Sequence, residues 1–83
     1  MPYQQIVTFA YAGYRGEESP RAFILNAKRI EVLRILAQWV EEDVMSNGRF
    51  RLFRVEGDDH RKHVLRYDET TGDWLYSGGK ADE

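Results

Sequence analysis

A chain of 83 residues that is 42% hydrophobic and 31% charged reads as one small globular domain, and excludes both a disordered tail and an apolar membrane span. Twelve basic residues against fourteen acidic ones leave a net charge of −2, which excludes a molecule dominated by a polybasic surface. There is no cysteine, so no disulfide and no thiolate ligand is available, and the core has to come from aromatics: Trp39, Trp74, five Tyr and four Phe.

Residues 3–14 alternate, with Val7, Phe9 and Tyr11 on one side and Ile6, Thr8, Ala10 and Ala12 on the other, which predicts a strand. Gly13, Gly16 and Pro20 punctuate a polar loop around Arg15-Gly16-Glu17-Glu18-Ser19-Pro20. Ala22-Phe23-Ile24-Leu25 is a short apolar run. Asn26-Ala27-Lys28 fits a tight turn, because Asn tolerates positive φ. Arg29-Ile30-Glu31-Val32 alternates again and completes a hairpin.

Residues 32–42 satisfy two patterns. Val32, Ile35, Leu36, Trp39 and Val40 sit at helical spacing, with Glu31, Arg34, Gln38 and Glu41 opposite. No N-cap interrupts the alternation that enters from Ile30 and Val32, and this favours a bent strand. The strand reading needs a bulge after Val32, so that Ile35, Ala37 and Trp39 resume the inward face. Either reading sends Trp39 to the core, as it does Trp74.

Ser46-Asn47-Gly48 is a turn, and Arg49 to Glu56 a strand with Phe53 and Val55 inward. Phe50 and Leu52 fit such a strand only if it carries a bulge or is covered on both sides. Gly57-Asp58-Asp59 is a hairpin turn. His63, Leu65 and Tyr67 then alternate with Val64, Arg66 and Asp68. Thr70-Thr71-Gly72 turns the chain into a last strand begun by Trp74 and Tyr76. The expected fold is mainly β, a single domain over residues 1–76 with 77–83 as a frayed tail. Roughly five short strands joined by hairpins make a strongly twisted antiparallel meander or a small half-open barrel. A helix over 32–42 would turn this into an α+β fold.

Tyr11-Ala12-Gly13-Tyr14-Arg15, Glu18-Ser19-Pro20-Arg21-Ala22-Phe23, the apolar positions Ile30, Val32, Ile35 and Trp39, Phe53-Arg54-Val55, Leu65-Arg66-Tyr67-Asp68-Glu69 and Trp74 together give the chain its pattern. That pattern resembles a family of short, uncharacterised bacterial cytoplasmic proteins over roughly residues 9–76. The resemblance implies a shared fold and carries no activity. The opening residues lack the charged start and apolar run of a signal peptide, and cytoplasm is the expected location.

The chemistry-bearing residues are sparse. Asp58, Asp59, His60 and His63 are acceptable metal ligands by type, but His60 and His63 would face opposite sides of a strand, and turns recruit Asp for backbone reasons. Neighbouring carboxylates such as Glu17 with Glu18, or Glu41 with Glu42 and Asp43, do not converge on one reacting atom. No catalytic residue, metal or cofactor is expected.

Two binding leads remain. Residues 49–67 carry Arg49, Arg51, Arg54, Arg61, Lys62 and Arg66 against Glu56, Asp58 and Asp59, a net of +3. Interleaved with Phe50, Phe53 and Tyr67, these suit a sheet that binds single-stranded nucleic acid. The other lead is the loop with Tyr14, Arg15, Glu17, Glu18 and Arg21, which suits a protein partner. A non-catalytic interaction module is the preferred reading, with the nucleic-acid-binding barrel as its rival and no membrane partner.

Overall fold

In the computed structural model, which describes residues 4–12 and 18–78, six antiparallel strands form a closed barrel in chain order. They are β1 (Gln4–Ala12), β2 (Glu18–Leu25), β3 (Lys28–Asp43), β4 (Gly48–Gly57), β5 (Lys62–Asp68) and β6 (Trp74–Gly78). The meander expected from the hairpin spacing is present, and its closure goes further than a half-open barrel. β1 is shared between two neighbours: Gln4, Gln5 and Ile6 pair with Tyr76, Leu75 and Trp74 of β6, while Val7 to Ala12 pair with β2. β6 runs to Gly78, so Ser77 and Gly78 belong to a strand rather than to the expected tail. The rest of that tail, 79–83, lies outside the described residues.

Turn chemistry sets the hairpins. Asn26 and Ala27 have φ of 53° and 64°, the two-residue turn whose twist matches that of the strands it joins. Asn47 at φ 63° and His60 at φ 67° close the next two connections. The Asp43 carboxylate accepts the Met45 N–H at 3.1 Å and the Ser46 hydroxyl at 2.8 Å, and those bonds hold its pKa below the ordinary range. Gly57 is required by space rather than by φ. A Cβ there would lie 2.6 Å from Ile30 Cγ2 and 2.7 Å from Asp59 Oδ1.

β2 begins at Glu18, earlier than the apolar run at Ala22, and takes in Ser19 and Pro20. Pro20 is tolerated because residues 18–21 pair only with β1, at its bulge near Phe9 and Ala10, and Pro has no amide to offer a second neighbour.

β3 is the bent strand, 16 residues long, and no described residue is helical. Its register with β4 slips twice, between Val32 and Arg34 and again between Ile35 and Ala37. The second bulge was not expected, and it reverses the parity. Ile35 still packs on the core, but Ala37 and Trp39 turn outward and Gln38 and Val40 take the inner side. Trp39 is therefore 36% exposed, which corrects its expected place in the core.

The core consists of Ile6, Phe23, Ile30, Phe53, Val55, Leu65 and Trp74. Trp74 lies between Tyr67 and Phe53, with ring centroids 4.8 and 5.6 Å away. Leu52 is buried too, on the outer face, because Trp39 and Arg66 oppose it from the two neighbouring strands. β4 is thus covered on both sides, as Phe50 and Leu52 required.

Candidate binding surfaces

A meander sends alternate connections to opposite ends. The β2–β3 turn, the β4–β5 loop and the end of β6 therefore meet at one mouth of the barrel. A cleft of about 640 Å³ opens there, with apolar Leu25 and Ile30, exposed Lys28 and Arg61, and the rings of His63 and Tyr76. His63 is 3% exposed and held at both nitrogens. Its Nδ1 lies 2.9 Å from the Tyr76 hydroxyl, and its Nε2 lies 3.0 and 3.2 Å from the two carboxylate oxygens of Asp59. The Phe23 ring meets it edge-on at 5.2 Å.

A carboxylate only accepts, so Nε2 donates to Asp59. In a neutral ring Nδ1 then accepts from Tyr76. This is the connectivity of a proton relay, but its outer end is not a nucleophile. Burial first, and the Asp59 charge second, raise the Tyr76 pKa above its ordinary value; nearby Arg61 acts in the opposite sense and does not cancel them. The phenol stays protonated at neutral pH. All the polar atoms of the imidazole are used internally, and the network ties β5 to β6 and to the loop between β4 and β5.

The same loop disperses the metal-ligand types. Asp58 Oδ1 accepts the Glu31 N–H at 3.2 Å, Asp59 Oδ1 accepts the Arg61 N–H at 3.1 Å, and His60 points into solvent at the turn. Among the described residues no group of three or more His, Asp or Glu could hold a metal ion. The contact of His63 with Asp59 and Tyr76 was missed in the sequence. The available signal was a histidine alternating with Leu65 and Tyr67 on an inward face, where an imidazole needs partners.

The basic hairpin is divided. Arg49 pairs with Glu42 at 2.9 Å and Glu69 at 3.3 Å, and Arg51 with Glu69 at 2.6 Å. Arg66 pairs with Glu41 at 3.1 Å while its guanidinium lies 4.1 Å over the Phe50 ring. Arg54 stands over Trp39 at 6.0 Å. Arg61 and Lys62 are exposed at the cleft end, away from Arg49. The acids on β3 and after β5 thus neutralise much of the charge that the local count left at +3. Of the loop residues, Tyr14, Arg15 and Glu17 lie outside the described residues; Glu18 opens β2, and Arg21 is exposed further along it.

A third surface was not expected. β2 and β3 part after the pair Ala22–Glu31, and residues 32–43 then pair only with β4. No described strand pairs with their other edge. Leu33, Leu36, Trp39 and Val40 are exposed along this arm, and its tip carries Val44 and Met45, 89% and 93% exposed. The helical spacing of the apolar residues was the sequence signal. Laid on a strand, that spacing puts apolar groups on both faces, more than one core can cover.

No family model, curated protein or solved structure matches the chain. Among the described residues, no helix is long and apolar enough to cross a membrane.

Proposed function

We propose that this chain is a non-catalytic interaction module that accepts an extended partner strand along the outer edge of β3. The observation that carries this is the edge of β3 beyond Glu31, which no described strand pairs with and which exposed Leu33, Leu36, Trp39 and Val40 line. An edge with unpaired amides and carbonyls templates another strand; charges and two bulges guard parts of β3, but the exposed apolar Leu36, Trp39 and Val40 leave its middle open to one. Added strands bind through the main chain and are selected by alternate side chains. The internally satisfied His63–Tyr76–Asp59 network supports a module without catalysis. The ion pairs of Arg49, Arg51 and Arg66 count against the rival, single-stranded nucleic acid on the hairpin 49–66. A bacterial, cytoplasmic setting, as the resemblance implies, belongs to the same proposal.

Selection from a random peptide library on sparsely immobilised protein tests the reading. Peptides with alternating apolar residues are expected, with binding lost in the variant carrying Leu36→Lys and Val40→Lys. Both sites are exposed, so the barrel is retained. Recovery of no peptide by a protein that is also monomeric, or of peptides indifferent to the two lysines, would refute it.

A further inference from the structure

The open edge of β3 has a charge order that selects its occupant. Its open stretch, residues 32–43, carries Arg34 near the start and Glu41, Glu42 and Asp43 at the far end, whereas Lys28 and Arg29 belong to the part already paired with β2. The apolar residues Leu36, Trp39 and Val40 lie between. A strand basic at one end and acidic at the other is complementary to itself when reversed. We propose that the occupant is a second copy of this chain, paired β3 to β3 in antiparallel fashion about a two-fold axis at Gln38. This rests on the edge-binding reading above and adds to it the identity of the partner.

The bulge between Ile35 and Ala37 fixes which side chains meet. Arg34, opposite Glu56, and Glu41, opposite Phe50, both lie on the outer face, whereas Ile35, opposite Val55, and Val40, opposite Arg51, lie on the inner face. A two-fold axis perpendicular to the sheet at Gln38 keeps each face on its own side. With one residue absorbed by the bulge, it sets Arg34 against Glu41 of the second copy and Val40 against Ile35, each contact occurring twice. Trp39 meets Ala37, so the large ring faces a small side chain. Directly opposed pairs of opposite charge, and apolar pairs, are what stabilise antiparallel strands.

Arg34 and Glu41 already have partners within the chain: Arg34 pairs with Glu56 at 2.7 Å, and Glu41 accepts from Arg66 at 3.1 Å and from the Trp39 indole N–H at 3.3 Å. The Arg34 side chain is nonetheless 69% exposed and that of Glu41 48% exposed; among the described residues Arg34 uses only its Nε, and each Glu41 oxygen, holding one hydrogen bond, has a second lone pair to accept another. Pairing would join two barrels through one continuous sheet and bring the four strands β4, β3, β3 and β4 side by side. The long edge would then be covered without any change in the barrel.

Sedimentation equilibrium on the full chain tests this. The wild type should be a dimer whose dissociation constant weakens at least about tenfold in Arg34→Glu and in Glu41→Arg, since each variant sets like charges opposite one another twice. An equimolar mixture of the two variants should restore a heterodimer of about wild-type affinity, because every opposed pair is again of opposite sign. Circular dichroism of each variant confirms the barrel. A wild type that is monomeric at about 1 mM overturns the proposal, as does a dimer indifferent to both charge reversals. A monomeric protein that still selects peptides on β3 would defeat the self-pairing while leaving edge binding intact. Self-pairing without peptide selection would show the edge to be specific to its own copy.

Discussion

Gly57 shows how closely one residue can be bound to its surroundings. A methyl group there collides with Ile30 and with the carboxylate that holds His63. Gly57→Ala should cost about 1–3 kcal/mol, read as a lower urea midpoint with unchanged slope. Thr8 presents the opposite case. Its Oγ1 is buried among the described residues without a hydrogen-bond partner, so Thr8→Val should raise stability by about 1 kcal/mol in the same measurement. Tyr76 gives stability a pH dependence. Its folded pKa is raised by burial and by Asp59, so the unfolded chain loses the phenolic proton first as pH rises. The contribution is complete below the unfolded value of about 10 and disappears as pH climbs through the folded one. Urea midpoints at about pH 9 and pH 11 should therefore fall more steeply in the wild type than in Tyr76→Phe.

Among the elements, the β2–β3 turn carries visible strain. Asn26 suits its φ of 53°, but Ala27 at 64° crowds its Cβ against the backbone. Ala27→Gly should stabilise the hairpin by about 0.5–1 kcal/mol, relief of the crowding outweighing the entropy that glycine adds to the unfolded chain; a thermal melt reads it. That turn was legible because Asn announces positive φ, and β4 and β5 were legible because Phe53 with Val55 and His63 with Leu65 keep a clean period of two. The far half of β3 was legible as a bent strand but not in its facing. Nothing about Leu36 marks a bulge, and one unsignalled bulge moved Trp39 to the outside. The His63–Tyr76 contact was hidden for another reason. It depends on the pairing of β5 with β6, which brings together residues 13 apart in sequence. The open edge was suggested only by an excess of apolar residues, which composition reveals and placement does not.

At the scale of the molecule the two tryptophans separate. Trp74 fills the barrel between Tyr67 and Phe53, and Trp74→Ala should cost about 3–5 kcal/mol, most of what so small a domain has. Trp39→Ala on the outer face should cost about 1–2 kcal/mol, and comparing the two denaturation midpoints checks the inversion. The joint between β1 and β6 has a further consequence, for the order of events at the ribosome. The hoop is completed by Gln4, Gln5 and Ile6, on the first of the six strands to be made, and by Trp74, Leu75 and Tyr76, on the last of them. A nascent chain that stops short of Trp74 leaves one flank of β1 and one flank of β5 bare and lacks the largest ring of its interior. Vectorial synthesis can lay down hairpins one after another, but it cannot lock them until β6 has been made.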